Sequence, residues 1–106
     1  MDFRFQDNCN NIDWDRIPQL LEQVGMSFTT PEKHRISFEA SFAVIFVFDQ
    51  KKIIGIGRIL SDGVRQSAIY DIVIDPEYQG KQLGKKIVSL LMDKTPGCNF
   101  ILYASP

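Results

Sequence analysis

The sequence has few of the residues that build metal centres or carry out thiol chemistry. It contains two cysteines, Cys9 and Cys98, and one histidine, His34, in 106 residues. A zinc site needs several such ligands at close spacing, and a thiol enzyme needs a histidine beside its cysteine. We therefore expect no zinc site and no Cys/His catalytic pair. The sparse, isolated cysteines favour a reduced, cytoplasmic compartment.

Long apolar runs and a strong excess of charge are also absent. The longest apolar run, Phe42–Phe48, is far shorter than the roughly 20 residues that cross a bilayer, and the first residues carry no signal-peptide pattern. The net charge is −1, so no global field attracts nucleic acid or an anionic membrane. We expect neither as a partner, and any binding of an anion must be local.

What is present predicts one α/β domain over residues 1–106 with a mixed sheet. Short hairpins join three consecutive strands, which favours an antiparallel centre, whereas the last β-α-β unit needs a parallel crossover. The predicted elements are a strand at Phe3–Phe5, a helix from Asp13 or Asp15 to Gly25, a helix from a Thr29–Glu32 capping box to Ala40, strands Phe42–Phe48, Lys52–Leu60 and Ser67–Ile74, a helix containing Leu83–Leu91, and a strand Asn99–Ala104.

The joint after the strand Ser67–Ile74 is the most informative segment. Asp75-Pro76 ends the strand, and a turn with Gly80 and Gly84 leads into the next helix. A helix start carries unpaired N–H groups and a dipole that favours anions, usually phosphate. The spacing does not match a P-loop. Gly55-Ile-Gly57 lacks a third glycine and lies in a strand pattern, so we interpret it as a close strand contact or bulge.

Gln79-Gly-Lys-Gln-Leu-Gly84, after Ile72-Val-Ile-Asp-Pro-Glu-Tyr78, resembles the acyl-CoA-binding segment of the GCN5-related N-acetyltransferase (GNAT) superfamily. Lys52–Gly55, Arg58–Gly63 and Ile101–Ala104 are similar to that family's third strand, to the end of its hairpin and to its fifth strand. The resemblance implies a GNAT-like fold. It also implies transfer of an acetyl group from acetyl-CoA to a primary amine of a small molecule or peptide, by direct attack in a ternary complex.

The resemblance also implies the site residues. The pyrophosphate would lie on the turn Gln79, Gly80, Lys81, Gln82, Leu83, Gly84 and Lys85. The pantetheine would pair with the backbone of Ile72, Val73 and Ile74, and an amide near Ile74 would stabilise the oxyanion. Tyr70 and Asp71 lie where the family places substrate-facing or base residues, so Asp71 is a candidate general base or a member of a structural hydrogen-bond network. Strand alternation predicts that their side chains lie on opposite faces.

Two departures from the family pattern leave alternatives open. Gln82 stands where the family usually has glycine, so it either crowds the phosphates or adopts a dihedral that suits glycine. The sequence also stops at Pro106, before the helix with a Phe-Tyr pair and the two strands that usually follow. We therefore expect a C-terminally truncated GNAT-like domain, which is either a fragment or truncated gene product or a domain whose sheet another chain completes, for example in a homodimer. The alternative function is a non-catalytic acyl-CoA-binding or interaction domain.

Overall fold

A computed structural model describes residues 2–102, which form one five-stranded mixed sheet with three helices. Strands β1 to β4 pair in sequence as antiparallel neighbours, and β5 pairs with β4 in parallel. This confirms the predicted fold class and element order, while Tyr103 and Ala104 of the predicted last strand lie outside the described residues. The elements are β1 (Arg4–Gln6), α1 (Arg16–Gln23), α2 (Pro31–Ala40), β2 (Ala43–Asp49), β3 (Lys52–Ser61), β4 (Gln66–Ile74), a 3-10 turn (Pro76–Tyr78), α3 (Leu83–Met92) and β5 (Asn99–Leu102).

The capping box predicted from Thr29 is wrong by one residue. Thr30 is the N-cap of α2, and its hydroxyl accepts a hydrogen bond from the Lys33 N–H at 3.2 Å. Pro31 then occupies the first helical position, where its missing N–H has no intrahelical partner to lose. The Glu32 carboxylate pairs with Arg35 instead of closing a box with the cap.

The sheet has an apolar core on each face. The first core packs against α1 and α2 and includes Ile17, Leu20, Phe38 and Phe46. The second packs against α3 and includes Ile54, Ile69, Leu83, Ile87 and Leu91. These two layers put α1 and α2 on one side of β4 and α3 on the other.

Gly57 allows the sheet and α3 to approach closely. A Cβ atom at Gly57 would lie 2.6 Å from both Ile72 Cδ1 and Ile87 Cγ2, and one at Gly55 would lie 2.9 Å from Ile74 Cδ1. The Gly55-Ile-Gly57 segment lies wholly within β3. The interpretation of these glycines as a close strand contact is confirmed.

A β-bulge interrupts β4 beside this contact. Between the Ile56–Val73 pair and the Arg58–Tyr70 pair, β3 advances two residues and β4 three, and Asp71 has φ = 57°. Among the described residues, β5 pairs only with Gln66–Ile69 of β4. The edge of β4 beyond the bulge therefore has no strand neighbour on that side within residues 2–102.

Candidate functional site

The open edge of β4 borders a cavity of about 800 Å³. Its walls are Ile72–Ile74 of β4, one side of α3 including Val88 and Ser89, Leu102 of β5, and Val24 and Met26 after α1. This volume is in the range of small-molecule and cofactor sites, which are usually apolar with a few polar groups. The three residues predicted to pair with pantetheine thus lie together along one wall.

A smaller cavity of about 360 Å³ lies at the turn before α3. It shares Ile74, Gln79, Gly84 and Lys85 with the larger cavity and is also lined by Gly80, Gln82 and Leu83. Lys81 is exposed beside the turn and does not line either cavity. The structure therefore brings the predicted turn residues other than Lys81 to two adjoining cavities.

Backbone N–H groups at the start of α3 are available to an anion. Lys86 donates the first bond of the helix, to the Gln82 carbonyl at 3.1 Å, so the amides of Leu83, Gly84 and Lys85 precede the helical ladder. Gln82 precedes the helix and its side chain makes no capping hydrogen bond. Apart from its neighbours in the helix, no atom of residues 2–102 lies within 4 Å of where a Cβ at Gly84 would be. A ligand can therefore approach the backbone closely here.

Gln82 adopts the dihedral that a glycine would favour. Its φ is 64°, in the left-handed region, and its side chain is exposed on the rim of the smaller cavity. Of the two consequences predicted for Gln82, the structure shows the unusual dihedral. With Gln82 in this conformation, the backbone amides of Leu83, Gly84 and Lys85 still precede the first helical hydrogen bond.

Tyr70 and Asp71 both face Arg58, so the expectation that alternation separates their side chains is wrong. Arg58 Nε donates to Asp71 Oδ2 at 2.7 Å, and the Arg58 guanidinium carbon lies 5.4 Å from the Tyr70 ring centroid. The bulge adds a residue to β4 and breaks the period of two at this point. Arg58 is a partner that sequence reasoning missed, although an arginine within an apolar strand was an available signal.

His34 of α2 lies near this cluster. Its Nε2 accepts a hydrogen bond from the Thr29 N–H at 3.0 Å, and the side chain is buried. Burial lowers the pKa of His34, the Asp71 carboxylate opposes this shift, and the Arg58 guanidinium adds to it. His34 is therefore mainly a neutral hydrogen-bond acceptor that holds the start of α2.

A second ion pair fixes the point where β4 turns toward α3. The Asp75 carboxylate is 2% exposed, accepts from Arg16 at 2.6 Å, and caps the 3-10 turn through the Glu77 N–H at 2.9 Å. Burial disfavours its charged form, but the Glu77 N–H, Arg16 and Lys52 outweigh this and hold the pKa of Asp75 below its ordinary value. The sequence identified Asp75-Pro76 as a strand end but did not reveal that Arg16 of α1 is its partner.

Tyr78 borders the smaller cavity, but its hydroxyl already has a partner. Tyr78 Oη donates to Asp49 Oδ2 at 2.5 Å, and this bond raises the pKa of Tyr78 to about 12. The ring packs edge-on against Phe3, with centroids 5.9 Å apart. The Asp49 bond anchors the turn to β2, and the ring contact anchors it to Phe3, just before β1. The hydroxyl proton of Tyr78 is donated to Asp49.

Residues 2–102 contain neither a metal-binding cluster nor a membrane-spanning helix. No group of three or more His, Cys, Asp or Glu side chains stands close enough to hold a metal ion. No helix in this part of the chain has both the length and the apolar character needed to cross a membrane.

The five-stranded mixed sheet, with the open β4 edge beside a bulge and a turn leading from it into α3, is the GNAT-like acyl-CoA N-acyltransferase fold expected from the sequence. The chain matches the acetyltransferase (GNAT) family model over residues 9–105 and belongs to that family. The resemblance inferred from the sequence is confirmed.

Relatives and solved structures agree with this assignment. The chain is 30% identical over 85% of its length to GCN5-related N-acetyltransferase 2, chloroplastic, of Arabidopsis thaliana. Its fold superposes on an Arabidopsis thaliana glucosamine-6-phosphate N-acetyltransferase with a TM-score of 0.69 at 27% identity, covering 96% of this chain and 83% of that one. A GNAT-family acetyltransferase of Streptococcus pneumoniae gives a TM-score of 0.80 at 16% identity, covering 98% and 76%. The chain spans 38%, 51% and 55% of the lengths of three curated relatives.

Proposed function

We propose that this chain is an acetyl-CoA-dependent N-acetyltransferase that acetylates a primary amine of a small molecule or peptide. The observation that carries the proposal is the continuity of the two cavities. They share Ile74, Gln79, Gly84 and Lys85, so the open edge of β4 and the start of α3 form one wall. Membership of the GNAT family supports the reaction class.

The residues present fit an acyl-CoA. Amides of Leu83, Gly84 and Lys85 would hold the pyrophosphate, because a helix start stabilises phosphate and Gly84 leaves space for close approach. The exposed side chains of Lys81 and Lys85 would add positive charge. The backbone of Ile72–Ile74 would pair with the pantetheine along the larger cavity. Bound acetyl-CoA would supply an activated thioester along this wall.

The chain's own groups would then orient the reactants. We propose that a neutral amine would attack the thioester carbonyl directly in a ternary complex, so that a C–N bond forms, the C–S bond breaks and CoA leaves as its thiolate while the amine loses a proton. A backbone amide near Ile74 would donate a hydrogen bond to the carbonyl oxygen as it gains negative charge. Preorganised donors of this kind are worth about 10²–10³ in rate. Tyr70 and Asp71 lie on the α1 and α2 side of the sheet, where the amine would approach, and Asp71 stays a candidate general base.

Calorimetric titration with CoA tests the binding half of the proposal. CoA at 100 times its dissociation constant should stabilise the fold by about 2.7 kcal/mol. Gly84→Asp should weaken binding strongly by placing a carboxylate beside the phosphates, whereas Gly84→Asn, of the same size and neutral, should weaken it much less. The absence of both heat and thermal stabilisation at millimolar CoA would refute the proposal.

Acetyl transfer to a panel of amines tests the catalytic half. Steady-state release of CoA that depends on the amine supports a transferase. CoA binding without transfer to any amine would favour the alternative, a non-catalytic acyl-CoA-binding domain. Light scattering of the same samples tests the predicted homodimer.

The sparse cysteines support a cytoplasmic location, which stays a prediction.

A further inference from the structure

The conformation of Asp71 is unfavourable for an ordinary residue and needs local support. Its φ of 57° lies in the left-handed region, where a side chain is strained, although aspartate tolerates this region better than most residues. Asp71 also lies in the bulge itself, between the pairs Arg58–Tyr70 and Ile56–Val73. Strained residues of this kind persist only where their surroundings hold them.

Arg58 supplies that support from the opposite strand. Its Nε binds Asp71 Oδ2 at 2.7 Å, with the two side chains only 17% and 23% exposed. The guanidinium also lies 5.8 Å from the Phe38 ring centroid and 5.4 Å from that of Tyr70, and NH1 is 3.4 Å from Ser41 Oγ. Because several contacts fix the Arg58 guanidinium, it can fix the Asp71 carboxylate in turn.

On the other face of the sheet, close packing of Ile72 restrains the bulge. The Ile72 side chain extends over Gly57 toward α3, in space that a Cβ at Gly57 would fill. Asp71 and Ile72 are therefore held from opposite faces of the sheet, the first by an ion pair and the second by packing. The backbone between them turns from the segment paired with β5 to the segment that lines the larger cavity.

We propose that Arg58 and Asp71 are positioning residues that hold the β4 bulge and so direct the backbone of Ile72–Ile74 toward the ligand. The link to a ligand rests on the proposed acyl-CoA function, whereas the restraint on the bulge does not. In this role Arg58 acts through Asp71, and Asp71 acts through the backbone that follows it. This positioning role is the alternative to the general-base role left open for Asp71 above, because here the pair sets the geometry of the wall without touching the reacting atoms.

The test asks whether Arg58 acts through Asp71. Arg58→Met in the natural background should speed amide hydrogen exchange over Tyr70–Ile74 about tenfold, because the left-handed residue loses its restraint. Glycine adopts this dihedral without strain. In the background of Asp71→Gly, Arg58→Met should therefore change exchange by less than about threefold. Arg58→Lys keeps the charge but loses the guanidinium contacts, so its exchange should lie between that of the natural protein and that of Arg58→Met.

Exchange in the free protein keeps this test separate from the proposed function. If the natural chain binds no CoA, the proposed function fails while the restraint on the bulge is still tested. If it binds, the dissociation constant should follow the same pattern as exchange. An equal effect of Arg58→Met in both backgrounds, or no effect in either, would overturn the proposal. So would Asp71→Gly that leaves CoA affinity unchanged but removes the pH dependence of transfer, because that result assigns a general base.

Discussion

The two halves of β4 differ in their side chains and in their strand neighbours. Gln66–Ile69 lies between β3 and β5 and is paired on both edges. Ile72–Ile74 is paired with β3 on one edge and borders the larger cavity on the other. The candidate binding half is therefore distinguished by the strand that is missing beside it among the described residues, as well as by its more apolar side chains.

The half that borders the cavity is bracketed by ion pairs. Arg58–Asp71 stands at its start and Arg16–Asp75 just after its end, and all four side chains are largely buried. The half between β3 and β5 is stabilised by strand pairing on both sides and by the core around Ile69. An unpaired edge thus depends on side chains for the order that a neighbouring strand would otherwise supply.

The largest effect is expected from Arg16→Met, which leaves the buried Asp75 carboxylate with the Glu77 N–H and with Lys52, at 3.6 Å, as its remaining cation among the described residues. Removing one partner of a buried pair leaves an uncompensated charge, so we expect a loss of about 3 kcal/mol in the free energy of unfolding. Urea denaturation measures it. Lys94→Met removes the exposed pair with Asp7 and should cost less than about 1 kcal/mol. Equal losses in the two variants would mean that the buried pair does not fix the end of β4.

Gly57→Ala should have the next largest effect, because its methyl group would overlap Ile72 Cδ1 and Ile87 Cγ2. Overpacking of this kind costs about 1–3 kcal/mol. Adding Ile72→Val removes the Cδ1 atom and should restore part of the loss in thermal denaturation. Gly84→Ala, which enters open space, is the control and should not destabilise the fold. A Gly57→Ala variant as stable as the natural protein would contradict the close contact.

Gln82→Gly should stabilise the fold by about 0.5–1 kcal/mol by relieving the left-handed dihedral. Gly80→Ala is the converse substitution. Because Gly80 has φ = 83°, alanine there should lower the free energy of unfolding by a similar amount. If the Gln82 side chain also crowds the phosphates, Gln82→Gly should tighten CoA binding in calorimetry. Unchanged CoA affinity in both Gln82→Gly and Gly84→Asp would mean that the turn is not the phosphate site.

The smallest effect concerns acid pH and His34. Burial holds the pKa of His34 below the reference value of 6.5, so the unfolded chain binds the proton more readily. The free energy of unfolding should therefore fall as the pH drops below about 6.5, because protonation of Nε2 also removes the bond from Thr29. His34→Gln keeps an acceptor without titrating and should flatten this slope between pH 7 and 5. A slope as steep in His34→Gln would assign it to other groups.

Local pattern predicted most of the elements correctly, because periodicity and turn chemistry act over a few residues. The apolar spacing from Ile17 to Leu21 and from Leu83 to Leu91 matches α1 and α3. The choice between Thr29 and Thr30 as the cap was beyond this reasoning, since both precede Pro31 and only the backbone conformation separates them. The bulge was missed because an inserted residue leaves the apolar pattern of β4 nearly unchanged.

The sequence by itself determined the family, the mixed sheet and the turn Gln79–Lys85. Each was predicted from short stretches of contiguous residues, whose apolar periodicity, turn residues and motifs depend on near neighbours in the chain. Only the tertiary structure decided which partners meet across the chain. Arg16 reaches Asp75 over 59 positions and Arg58 reaches Asp71 across a hairpin. Only the three-dimensional structure shows that Tyr70 and Asp71 face the same arginine. These contacts depend on how strands and helices stack, and the bulge that sets them is a property of two strands in register.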